Sequence, residues 1–197
     1  MVTAVLTVAT ACGSGKNSSP SSTASSTSAA SSSSAASTTS STAPPGSAPL
    51  ADYTSLLIQA SDVAANATTL KPPLQNPGGT AGVGVTFTNP DRTNTIDDLL
   101  IIFVDPAVAA QAAKDRASDY SKYVTDAPQP FEVGTNGLIA VGLSPDKSKA
   151  VTYLTFAEGR AVVDLEFDSA PNDPAPRDFV LDIAQKQDAA VKKGLPS

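Results

Sequence analysis

The chain predicts an α+β domain, an antiparallel sheet with two long helices packed on one face. Three observations lead there. Short apolar runs with period-two alternation recur between Val83 and Phe167, which is the spacing of half-buried strands. Two stretches, 106–124 and 174–193, carry apolar residues at helical spacing. The strands fall into hairpins, and hairpins followed by helices make an antiparallel sheet with helices laid on it.

The first 51 residues stand apart from that domain. Cys12 is the only cysteine and follows Ala9-Thr10-Ala11, small residues that a signal peptidase accepts in an extended backbone. Val2 to Val8 supply an apolar stretch with no Lys or Arg before it. Because a signal core has about 7–15 apolar residues behind a basic start, the translation start is expected upstream of Met1. Residues 1–11 are thus read as a signal peptide, and Cys12 as the site of lipidation by palmitate-type chains. A free Cys is otherwise most often buried, but the residues after Cys12 offer no core to bury it in. From Asn17 to Ala51 there is no charged and no aromatic residue. Such a segment cannot bury enough apolar surface to offset its ordering entropy, so 12–51 is read as a tether, spanning on the order of 30 Å if flexible. In its lipobox-like cysteine, Gly13-Ser14 start and Ser/Thr/Ala/Pro run, this region resembles the lipoproteins of mycobacteria and related actinobacteria. The resemblance implies a location on the extracytoplasmic face of the cell membrane, held through the lipid on Cys12.

Residues 52–197 are long enough for one domain with a real core. Formal net charge is −6, and Lys16 is the only charge before Asp52. Nucleic acid is therefore excluded as a partner, since phosphate binding needs a basic surface. No cysteine remains to form a disulfide, and no run of about 20 apolar residues follows to span a membrane.

Within the domain, Leu56-Leu57-Ile58 is a short apolar run, and Ser61 is placed to cap a brief helix. Pro72, Pro73, Pro77, Gly78 and Gly79 make 71–79 a loop. Val83, Val85 and Phe87 alternate with smaller or polar residues as a strand does, and Asn89-Pro90-Asp91 turns the chain. The unbroken run Leu99 to Val104 reads as a central strand covered on both faces. Asp105-Pro106 opens a helix, because Asp accepts from first-turn amides and Pro at the first position loses no hydrogen bond. Its apolar stripe includes Val108, Ala109, Ala112, Ala113, Ala117, Tyr120 and Val124, and Pro128 stops it. Leu138 to Leu143 is a strand, 144–148 a turn, and 151–156 with 161–167 a hairpin about Gly159. Val163, Leu165 and Phe167 point one way, leaving Asp164, Glu166 and Asp168 on a wet face. Asp173-Pro174-Ala175 opens the second helix, which Gly194 and Pro196 end. Two Asp-Pro-Ala openings, each after a hairpin, suggest a β-β-α unit used twice.

Chemistry is sparse. There is no histidine, which removes the usual general base and the common metal ligand. Ser144-Pro145-Asp146-Lys147 matches an S-x-x-K spacing but sits in a turn without its partner motifs. No cofactor motif is found. Asp164, Glu166 and Asp168 form the densest acidic cluster, and oxygen ligands suit Ca²⁺; the plainer reading is a solvated strand face. The Ala-rich helix either sits close to the sheet or leaves an apolar cavity lined by Val108, Ala112, Tyr120, Leu100, Ile102 and Val163, suited to an acyl chain.

Asp105-Pro106 with the Ala-rich helix, and Phe156 to Val163 as the late hairpin, resemble the extracellular sensor-type domains of mycobacterial lipoproteins and kinases. That resemblance implies a surface-tethered binding or sensing module. With no histidine and no convergent acid pair, the leading expectation is a non-enzymatic envelope lipoprotein that binds a lipid or other apolar envelope component, or an envelope protein partner. An enzyme or enzyme accessory acting on envelope polymers through carboxylates, and a purely structural surface protein, are the alternatives.

Overall fold

A computed structural model describes residues 44–195. Cys12, the signal peptide and most of the tether lie outside the described residues. Eight strands form one antiparallel sheet: β1 (Thr68–Thr69), β2 (Leu74–Gln75), β3 (Gly82–Thr88), β4 (Thr95–Ile102), β5 (Gln129–Pro130), β6 (Thr135–Leu143), β7 (Ala150–Glu158) and β8 (Ala161–Ser169). Their order is β1-β3-β4-β8-β7-β6-β5, with β2 also paired to β3. The helices are α1 (Ala60–Val63), α2 (Pro106–Asp115) and α3 (Arg177–Gly194). This is the α+β class that hairpin spacing predicts.

Strand parity decides how the layers stack. On β4, Ile96, Leu100 and Ile102 join Val83, Val85, Phe87, Val163, Leu165 and Phe167 in the core covered by Val180, Ile183, Ala184 and Val191 of α3. Ile101 and Phe103 point the other way, with Val162 and Ala157, and meet Ala109 and Ala113 of α2. The two long helices therefore cover opposite faces, which corrects the expectation that they share one. The physical reason lies in the run from Leu99 to Phe103, whose alternate side chains leave both faces apolar and in need of cover. The two hairpin-plus-helix units are accordingly not equivalent by rotation about an axis normal to the sheet.

Helix ends differ from expectation at two places. Asp105 caps α2 through Val108 N (2.9 Å), but the α-helix stops at Asp115 and continues as a 3₁₀ helix over Arg116–Lys122. The tighter winding brings Tyr120 under the sheet edge, where its hydroxyl donates to Leu138 O at 2.7 Å; Ala117, expected on the apolar stripe, is exposed. At α3, Asp173 caps nothing. Pro176, at φ −60° and ψ 135°, precedes the first helical residue Arg177, because the residue before a proline is driven out of the helical region and Ala175 is that residue.

Two polar links, one buried and one at the surface, hold the segment before β1 against α3. Gln187, fully buried, donates to Leu56 O at 2.7 Å and accepts from Ile58 N at 3.0 Å. Lys186 Nζ donates to Asp62 O at 2.7 Å. Residues 46–48, assigned by composition to the tether, lie along the end of β4: Ala48 N donates to Ile102 O and Val104 N to Gly46 O.

Candidate functional site

The acidic residues singled out from the sequence lie on the α2 face of the sheet and are engaged. Asp164 is buried, 4% exposed, so that part of the strand expected to be wet is covered. It accepts from Thr155 Oγ1 at 2.6 Å and pairs with Arg116 at 3.2 Å. Burial pushes its carboxyl upward and the Arg116 charge opposes that. Lys149 bridges Glu166 at 3.7 Å and Asp168. Burial, then the Asp168 charge, pushes Glu166 up to about 7. Among the described residues no group of three or more His, Cys, Asp or Glu side chains is placed to hold a metal ion.

The lining expected beneath α2 is split between the two faces. Val108 and Ala112 border the small cluster under α2, and Tyr120 packs with Val151 and Tyr153 on that same face. Leu100, Ile102 and Val163 belong to the core under α3. No single cavity can be lined by both sets. Ala109 and Ala113 have no exposed surface, so α2 rests directly on Ile101 and Val162. In the S-x-x-K segment, Ser144 Oγ donates to Asp146 at 2.6 Å and Lys147 takes a left-handed φ of 60° in the turn.

A different pocket opens at one end of the α3 face. It gathers the end of β3, the start of β4, the end of β8, the residues after α1 and the approach to α3, in a cavity of about 170 Å³. Phe87, Ile96 and Phe167 form the floor, at 1, 6 and 2% exposure. Phe179 from α3 closes one wall, its ring edge-to-face with Phe167 at 6.0 Å and 77°. Val63, Ala67 and Ala175 add half-buried apolar walls, and Asn66, Asn89, Asn94 and Asp173 stand at the mouth.

The mouth is built by short-range hydrogen bonds. Asn89 Oδ1 accepts from Thr93 N and Asn94 N, and Asn89 Nδ2 donates to Thr93 Oγ1, locking the β3–β4 turn. Asp173 N donates to Ala170 O, and Ser169 Oγ to Asp173 O, locking the β8–α3 connection. The Lys186 link to Asp62 holds the α1 side. The pocket is therefore formed before any ligand arrives, which lowers the ordering cost of binding. Sequence reasoning missed it because its floor joins residues from strands far apart in the chain. Only the alternation of Val163, Leu165 and Phe167 and the helical stripe through Phe179 pointed toward it.

The arrangement offers an apolar floor with polar groups at its mouth. No protein-family model matches this chain, and no curated protein does. Among solved structures it is similar to the extracellular domain of PknH from Mycobacterium tuberculosis, with a TM-score of 0.55 and 13% identity, over 71% of this chain and 94% of that one. At that identity the likeness is one of fold.

Proposed function

We propose that this chain is an extracytoplasmic lipoprotein, anchored through Cys12, whose folded domain is a non-enzymatic binding module for an apolar envelope component or for an apolar group on an envelope protein. The observation that carries the reading is the preformed pocket floored by Phe87, Ile96 and Phe167. Engagement of Asp164, Glu166 and Asp168 by Arg116 and Lys149 counts against carboxylate chemistry on envelope polymers. The location is supported by the small residues before Cys12, by the Ser/Thr-rich tether, and by likeness in fold to a domain described as extracellular.

Native mass spectrometry of the protein purified from its own host tests the binding role. A small molecule retained by the wild type and lost in Ala175→Phe, which fills the pocket from its wall, is the expected result. A wild type that carries nothing, or a ligand unaffected by the substitution, overturns it. For the anchor, Cys12→Ala is expected to leave the detergent phase, since stable anchoring takes two chains or more; unchanged partition contradicts the lipidation.

A further inference from the structure

Resting on the reading of this pocket as the binding site, the geometry points to its ligand class: a single aromatic ring bearing a neutral or cationic polar substituent, in place of the acyl chain expected for a cavity beneath the Ala-rich helix. Size is the first ground. An apolar cavity of about 150 Å³ accommodates benzene, and this one measures about 170 Å³. A long acyl chain, several times the volume of a benzene ring, cannot be enclosed in that volume, and Phe87, Ile96 and Phe167 close the floor against deeper entry.

The walls are the second ground. Phe167 and Phe179 meet edge-to-face, and both rings belong to residues that line the pocket. An entering ring can extend that geometry, which aromatic pairs prefer over a stacked sandwich.

Charge is the third. No Lys or Arg lines the pocket, and the one exposed carboxylate at its mouth is Asp173. Asp168, the other acidic residue along the lining, turns its carboxylate to the α2 face, where Lys149 holds it. An anionic head group would find a like charge and no partner, whereas an ammonium would find an acceptor. A neutral hydroxyl or amide is served by the carboxamides of Asn66 and Asn94. Neither makes a hydrogen bond within the described residues, so each is free to donate and accept.

Four probes on the full chain decide the matter by ligand-observed NMR and thermal shift: benzyl alcohol, phenethylamine, 3-phenylpropionate and dodecanoate. Benzyl alcohol and phenethylamine are expected to bind saturably and raise the melting temperature. The phenylpropionate should bind about tenfold more weakly, a difference of about 1.4 kcal/mol, and dodecanoate should not compete. Ala175→Phe, and Val63→Phe from the opposite wall in case the first variant fails to fold, should abolish ring binding. Dodecanoate binding that either filled variant blocks would overturn the ring assignment and leave the pocket as the binding site. Equal affinity for phenethylamine and phenylpropionate would also overturn it. Binding of no probe in a manner sensitive to the filled variants would remove both the ligand class and the pocket.

Discussion

The two faces of the sheet are made from the same strands and meet different fates. Under α3, residues of one parity form a continuous apolar layer from Val83 across to Ile139, closed by α3 and by the chain from Leu56 to Ile58. Under α2, residues of the other parity are apolar only where α2 and the 3₁₀ helix lie, and elsewhere carry Asp97, Glu166 and Asp168 beside Lys149. Polar residues on the first face are anomalies, whereas on the second they are the rule. Asp98 is the clearest anomaly: it pairs with Val85 and Leu165 across the sheet, is 1% exposed, and neither carboxylate oxygen has a hydrogen-bond partner. Burial, aided by the Asp164 charge, pushes its carboxyl well above the ordinary range.

Deleting side chains of matched chemistry from the two faces breaks the comparison most sharply. Leu165 on the α3 face has no exposed surface, and Leu165→Ala is expected to lower stability by about 2–5 kcal/mol. Leu99, half-buried on the α2 face, should lose clearly less in Leu99→Ala. Chemical denaturation measures both, and equal losses would mean that the faces are equally packed.

A smaller effect is expected at Asp98. Its folded carboxyl is raised, so the wild type is fully stable below the unfolded value near 3.8 and loses stability as pH rises toward the folded value. Asp98→Asn removes that loss. The variant should melt with the wild type in acid and above it at pH 8; a lower melting temperature at pH 8 would indicate that the charged form is satisfied.

The smallest effect is expected at Glu166, whose side chain is partly exposed and paired with Lys149. Its shift from 4.5 to about 7 has the same sign, so stability should decline between those values and Glu166→Gln should flatten that decline. Solvent screening makes the gain less than that at Asp98. Melting curves at pH 5 and pH 8 check the order.

Much of this contrast is legible in the residues themselves. Val83, Val85 and Phe87 announce their face by period two, and Asp105-Pro106 announces the start of α2. The run Leu99 to Phe103 also demands two covers, yet it does not state which helix takes which face. That choice depends on the pairing of β4 with β8, a contact between distant parts of the chain. Assigning Leu100, Ile102 and Val163 to the lining under α2 fails on parity, because Ile101 and Val162 are the residues that face it. The late start of α3 was readable from Pro176. The pocket was not, since Val63, Phe87, Ile96, Phe167 and Phe179 are brought together only by the finished fold.

The most direct test of the account places a ligand on one face. In a methyl- and aromatic-labelled sample titrated with benzyl alcohol, shifts should concentrate at Val63, Ile96, Phe167 and Phe179 and leave Leu99, Ile101 and Val108 unmoved. Shifts centred on Ile101 and Val108 would put the binding surface under α2 and contradict it.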